Sequence, residues 1–439
     1  MTRYKKIKPL IATFILSGLL YLIFDSAKLF YCINISFIII ITAPIIYYRL
    51  LKTNWSNFKK SEIKQLVFIT IFFSIIFLPL LQQLTTFISL SEINNSFNEK
   101  RKLADFKLVD KADLKELPNK FTTYYNDNFG MRKFLITTNN YVKARYFKIS
   151  SKPQAIIGNG EWMFYNSQGS LADHQGKKHL NKAQLDKIKN TLIERKKYLT
   201  KKGIKYFVAV LPDKMSIYAD HLPSNYNLVD TTRLDQVLSS LKNTNIPIID
   251  LRHALKTEAN NKLLYQVNDS HWNKNGGFIG AKEIINMLRQ EFKNIPAPYS
   301  VDNFKITEKD KRGGDISMLL GIKAFSDNSS FIYESNEKVG TKKAMHNSLY
   351  NFYKQNYKAT FIYEKQNKSL PKILIFNDSF VSYIHSFLGD YFSRSVFLWT
   401  HDFRKDIIQR EQPEIVLHII VERSIEELGK SAAYKNIPN

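Results

Sequence analysis

The sequence predicts an α/β domain, a mostly parallel sheet flanked by helices, preceded by three N-terminal transmembrane helices. Three observations predict it. Short apolar, β-branched runs alternate with amphipathic stretches from about residue 205 to the end. Buried parallel strands read as continuous apolar segments, and Tyr206–Leu211, Lys372–Phe376 and Glu414–Val421 have that character. Three long apolar runs open the chain, over Pro9–Phe24, Leu29–Tyr48 and Leu66–Leu81.

The N-terminal part is read first. Arg3, Lys5, Lys6 and Lys8 precede the first run, only Lys28 separates the first from the second, and Arg49, Lys52, Lys59, Lys60 and Lys64 precede the third. By the positive-inside rule the N-terminus and second loop are cytoplasmic, and the chain after about residue 90 faces outward. The first run has the basic start of a signal peptide but no small-residue cleavage site, so an anchor is the expectation. This gives a three-span anchor over 1–90, a helical connector over 91–150 and an α/β domain over 151–439. The one cysteine, Cys32, excludes an internal disulfide. The net charge of +25 fits contact with anionic polymers or lipid surfaces. No nucleic-acid motif accompanies it.

In the third region, Ala155–Gly158 and Trp162–Tyr165 around Asn159–Gly160 read as a hairpin. A helix is expected over 182–201, ended by Gly203, and another near Thr232–Leu241. Ile246–Asp250 and Leu263–Val267 read as strands, followed by a helix from Gly277 to Phe292. Residues 296–370, rich in Lys, Asn and Ser, read as loops or an insertion. Lys372–Phe376 is a strand leading into Asn377–Asp378–Ser379, with a helix over Val381–Leu388; Val396–Trp399 and Glu414–Val421 are later strands around a helix at Asp402–Gln409.

Two segments carry chemistry. Ser379 stands between a buried strand and a helix, where its hydroxyl meets the sheet edge and nearby amides can stabilise an oxyanion. The same position suits a helix N-cap. The second segment is Asp269–Ser270–His271–Trp272–Asn273. Residues two apart in extended chain point the same way, so Asp269 can hold one imidazole nitrogen of His271 while the other faces Ser379. A metal site is the other use of such residues, yet His174, His253 and His385 lack ligand spacing to them.

These runs, with Asp127–Asn128–Phe129–Gly130–Met131–Arg132, Gly160–Glu161–Trp162–Met163–Phe164–Tyr165, Leu211–Pro212–Asp213–Lys214, Gly314–Asp315 and Val421–Glu422–Arg423, resemble the alginate O-acetyltransferase group of SGNH-hydrolase-like domains. The resemblance covers about residues 115–439. It implies a Ser379–His271–Asp269 triad, an acetylserine intermediate and transfer to a polysaccharide hydroxyl, with no cofactor. It also implies a multi-span membrane acyltransferase as acetyl donor. Where that group often has Gly, this chain has Asn377, a candidate side-chain donor to the oxyanion. Lys214, Tyr218, Asp315 and Trp272 are further candidates for oxyanion or substrate contact. The expected setting is a multi-pass cytoplasmic-membrane protein with its α/β domain periplasmic or extracellular. The alternatives are a polysaccharide deacetylase and a non-catalytic polysaccharide assembly protein.

Overall fold

The computed structural model describes residues 60–85, 89–96, 101–106, 115–226, 231–335, 342–343, 353, 355–357 and 360–430. The chain divides into two compact units, one of residues 1–95 with 99–136 and one of residues 96–98 with 137–439.

The first unit contains helices Lys60–Thr85, Ser91–Ser96 and Leu117–Asn128. Two of the expected spans, Pro9–Phe24 and Leu29–Tyr48, lie outside the described residues. The third falls within Lys60–Thr85, where Pro79 interrupts the apolar stretch and Gln82 and Gln83 close it. Among the described residues no helix is long and apolar enough to cross a membrane. The three-span anchor therefore has no support in the structure. The Asp127–Arg132 run is internal scaffolding. Asp127 accepts from Arg101 at 2.8 and 2.5 Å and from the Ala104 amide at 2.9 Å. A Cβ at Gly130 would lie 2.0 Å from the Pro79 carbonyl oxygen, so only glycine fits.

The second unit is built on a seven-stranded sheet. In chain order the strands are β1 (Ala155–Ile157), β2 (Met163–Tyr165), β3 (Lys205–Leu211), β4 (Ile248–Asp250), β5 (Phe304–Arg312), β6 (Asp327–Ser335), β7 (Lys342–Lys343), β8 (Thr360–Glu364), β9 (Lys372–Asn377), β10 (Arg394–Trp399) and β11 (Ile415–Val421). The sheet order is β4-β3-β11-β9-β10-β8-β7. The first five of these are mutually parallel, and β8 runs antiparallel to β10 and to β7. The sheet is thus mixed at one edge, because residues 342–364, expected as loops, add two strands there. Residues 304–335 hold a second unexpected feature, the β5–β6 ribbon of nine antiparallel pairs. β5 is mostly charged and the apolar residues of β6 stand consecutively as Phe331–Ile332–Tyr333, which hides a strand pattern.

Alternation on the central strands builds a core on each face. Phe207, Ala209 and Leu211 of β3, with Leu417, Ile419 and Val421 of β11, pack under helices Arg252–Ala259 and Lys274–Glu291. Tyr206, Val208 and Val210, with Val416 and Ile420, pack under helices Lys182–Thr200, Arg233–Leu241 and Lys405–Glu411. Asn181 and Thr232 cap two of these helices with reciprocal capping boxes. The β1–β2 hairpin forms as expected, its turn completed by Gly160 at φ +64°.

Leu263–Val267, expected as a strand, instead makes a single antiparallel bridge between Tyr265 and Trp272. The chain doubles back after five residues, too soon for a ladder, and the turn so made carries Asp269 and His271. The expected helix over Val381–Leu388 is likewise broken, into a 3₁₀ turn Ser379–Tyr383 and a helical turn His385–Leu388.

Candidate active site

The parallel strands end together, and the candidate residues follow those ends. Ser379 comes two residues after β9, Lys214 three after β3, and Glu422 and Arg423 directly after β11. This is where ligands meet parallel α/β sheets, because side chains there are held by a rigid strand yet free of the ladder.

His271 bridges the other two residues. Its Nε2 lies 2.7 Å from Ser379 Oγ, and its Nδ1 lies 2.7 Å from Asp269 Oδ1. Asp269 is buried, Ser379 half-buried, and the His271 side chain 18% exposed, so the site opens to solvent at the serine–imidazole contact. Asp269 Oδ1 also accepts from the His271 amide at 3.0 Å, and Oδ2 from the Asp315 amide at 3.0 Å. Burial pushes the Asp269 carboxyl up, but the His271 ring and these amide donors outweigh it and hold the group well below the usual carboxylate range.

Asp315 stands beside this pair. Its Oδ2 lies 3.4 Å from His271 Nδ1, and its two oxygens take the Ser270 amide at 2.6 Å and hydroxyl at 2.5 Å. Burial and the neighbouring Asp269 charge push its carboxyl up. Its side chain remains 44% exposed, so it stands at the mouth and faces His271 as a second carboxylate. Asp269, His271 and Asp315 also place three ligand atoms within 4.8 Å of one another, a donor set a cation could use. Coordination at Nδ1 would displace its bond to Asp269.

Three fasteners bring the loops together. The Trp272 indole is fully buried and donates to the Phe380 carbonyl at 2.9 Å, joining the histidine loop to the serine turn. Asn273 caps helix Lys274–Glu291 by accepting from the amides of Asn275 and Gly276. That helix then approaches the serine turn so closely that a Cβ on Gly277 would lie 2.2 Å from the Tyr383 carbonyl oxygen. Gly276, Gly277 and Gly280 were not anticipated. A run of glycines on one helix face just after a candidate histidine was the available signal.

The remaining candidates are placed as supports. Lys214 directs its ammonium to the carbonyl oxygens of Gln266, Val267 and Asp269 at 2.9, 3.0 and 2.7 Å. An ammonium has three protons, so none is left for an oxyanion. Burial lowers its pKa to about 7, against the opposing pull of Asp269 and Asp315. Lys214→Met should cost about 2–4 kcal/mol by stranding three buried carbonyls, read from chemical denaturation. Tyr218 donates to the Lys262 carbonyl and accepts from the Leu264 amide, shaping the same loop from behind. Trp272, being buried, cannot stack on a sugar. Asn377 is fully buried and donates to the Ile375 carbonyl at 3.1 Å. Gly314 is needed for close approach, since a Cβ there would lie 2.4 Å from Asp269 Cβ. Gly314→Ala should displace Asp269 and slow acyl transfer about tenfold or more while the protein stays folded, measurable as kcat beside the circular dichroism spectrum.

The motif residues Asp213 and Glu422 were not assigned from sequence. Asp213 pairs with Arg423, and Glu422 accepts from the Asp213 amide at 3.0 Å and the Ser216 hydroxyl at 2.6 Å. Burial and the nearby Asp213 charge push the Glu422 carboxyl up to about 7. These groups lace β3 to β11 beneath the site.

Residues 155–358 match the family model described as SGNH hydrolase-like domain, acetyltransferase AlgX. The resemblance to the alginate O-acetyltransferase group is thereby shown for this segment. The AlgX-like segment contains Asp269, His271 and Asp315 and ends before Ser379. Among solved structures, PatB1 from Bacillus cereus is 15% identical, covering 63% of this chain and 99% of its own, with a TM-score of 0.45. The O-acetyltransferase domain of Pseudomonas putida AlgJ is 12% identical, covering 63% and 93%, with a TM-score of 0.42. AlgX from Pseudomonas aeruginosa is 13% identical, covering 63% of each chain, with a TM-score of 0.42. These likenesses are distant, and nothing below rests on them. No curated protein matches the chain.

Proposed function

We propose that the protein is an O-acetyltransferase acting on a cell-surface or exported polysaccharide, with Ser379 as nucleophile, His271 as base and Asp269 as the orienting carboxylate. The observation that carries this is the unbroken hydrogen-bonded line Ser379–His271–Asp269, with 2.7 Å at both contacts, at the strand ends of an AlgX-like domain.

In the first step Ser379 Oγ attacks the acyl carbonyl carbon and His271 Nε2 takes its proton. The tetrahedral intermediate collapses, the leaving group receives that proton, and an acyl-serine remains. A sugar hydroxyl then attacks the acyl-serine while His271 removes its proton. Collapse returns the proton to Ser379 Oγ and releases the O-acetyl sugar. Asp269 keeps the imidazole in the tautomer with its lone pair on Nε2 and stabilises the imidazolium. In this reading the backbone amide of Ser379 is a donor to the developing oxyanion.

The acyl donor in this reading is a multi-span membrane acyltransferase, and the N-terminal apolar runs tether the protein beside it with the α/β unit on the outer face. Reporter fusions after residue 90 test that placement; an inward-facing reporter contradicts it. The function is tested by surface-glycan acetyl content in cells carrying wild type or Ser379→Ala. Loss of acetyl supports the transferase. Unchanged acetyl contradicts it, and acetate release without transfer to added oligosaccharide points to a deacetylase.

A further inference from the structure

A chain of buried polar groups lies behind the serine turn and takes no part in the steps above. Asp378 begins it. Its Oδ1 accepts from the Phe380 amide at 3.0 Å and its Oδ2 from the Val421 amide at 2.8 Å. One carboxylate thus ties the residue after Ser379 to the end of the neighbouring strand β11. His401 Nε2 stands 3.7 Å from Asp378 Oδ2, a charge–dipole contact. His401 Nδ1 lies 3.0 Å from His418 Nε2, and His418 Nδ1 lies 3.3 Å from Arg195 Nη1. His418 is fully buried on the far face of β11, and Arg195 is buried too.

The direction of this chain follows from donor chemistry alone. A guanidinium has only protons to give, so His418 must accept at Nδ1. A ring that accepts there and stays neutral carries its proton on Nε2. That proton faces His401 Nδ1, which must accept in turn. His401 therefore carries its own proton on Nε2, aimed at Asp378. Burial lowers the pKa of His418 well below its ordinary value, with His401 and Arg195 adding to the effect, in keeping with a neutral ring.

We propose that Asp378 positions Ser379, and that the Arg195–His418–His401 chain holds the Asp378 carboxylate in its present rotamer through two imidazoles fixed in one tautomer. The proposal rests on Ser379 being the nucleophile. Rotation of Asp378 would release both amides it holds, and a shift of the serine turn by about 1 Å is enough to slow acylation severely. Both Asp378 oxygens are taken by backbone amides, so Asp378 stays occupied and does not compete for the serine proton.

The test uses the full chain and two readouts. The first is ring-nitrogen NMR on histidine-labelled protein, with His401→Gln to assign the His401 signals. It should show His401 and His418 protonated on Nε2 and bare at Nδ1. The second is the rate of Ser379 acylation by an activated aryl acetate. His401→Phe should slow it about tenfold with KM little changed, while His401→Gln, whose amide NH₂ presents the same positive dipole end to the carboxylate, keeps most of the rate. A protonated Nδ1 on His401 overturns the proposal. So does wild-type acylation in His401→Phe, or an equal loss in both variants, which marks a packing effect. If wild-type Ser379 is not acylated at all, the nucleophile assignment fails instead, and the tautomer result stands by itself.

Discussion

Ser379→Ala is expected to lower acyl transfer by about 10,000-fold or more while leaving the fold intact. Among the described residues the hydroxyl makes one polar contact, the 2.7 Å approach to His271 Nε2. The turn around it is held by Asp378, by Trp272 through the Phe380 carbonyl and by the close pass of Gly277, none of which needs the hydroxyl. Removing one half-buried oxygen should therefore erase the nucleophile with a stability change within about 1 kcal/mol. The measurement is turnover of an activated acetyl ester together with transfer to an oligosaccharide acceptor, set beside the thermal midpoint. Loss of activity with an unfolded variant would not count, which is why the midpoint belongs to the experiment.

Asp269→Asn is expected to cost about 1,000-fold, and the size follows from where the oxygens point. Both Asp269 oxygens accept from backbone amides, of His271 on one side and Asp315 on the other. An asparagine must turn its NH₂ toward one of those amides, setting donor against donor. It also presents either a weaker acceptor or a donor to His271 Nδ1, so the imidazole loses its fixed tautomer. Asp315 limits the damage, because its Oδ2 already lies 3.4 Å from that nitrogen. Asp315→Asn alone should cost only about twofold, and the double variant should fall toward the Ser379→Ala floor of about 10,000-fold, beyond the roughly 2,000-fold that the two single losses give together, since each carboxylate covers for the other. Steady-state kcat for the four proteins of this cycle checks it. A double variant no worse than Asp269→Asn would show that Asp315 gives His271 no support.

The parallel core was legible because its strands are buried on both faces and read as unbroken apolar segments, Tyr206–Leu211 and Lys372–Phe376 among them. The serine and the Asp-x-His run were legible because their residue types and the turn after a strand are local signals. The supports were less so. Lys214 looked like a group for substrate, yet its role is set by three carbonyls from residues 266–269, more than fifty positions away, and no local pattern announces such a convergence. Trp272 was a candidate for substrate contact, but its partner is the carbonyl of Phe380, visible only once the two loops meet. The β5–β6 ribbon escaped notice because β5 is mostly exposed and charged and the apolar residues of β6 are consecutive, so hydrophobic alternation never develops. Asp378 was hidden by the opposite cause. Beside a candidate nucleophile it reads as part of a motif, whereas the Val421 amide it holds and the histidines behind it come from distant parts of the chain.

The account stands on one oxygen forming a covalent bond to an acyl group. Mass spectrometry of the full chain, quenched rapidly after mixing with an activated acetyl ester and digested, tests it directly. An acetyl group on the peptide bearing Ser379, absent from Ser379→Ala and lost when an oligosaccharide acceptor is added, is the predicted result. Transfer to the acceptor with Ser379 never acetylated, or with the label on another residue, contradicts it.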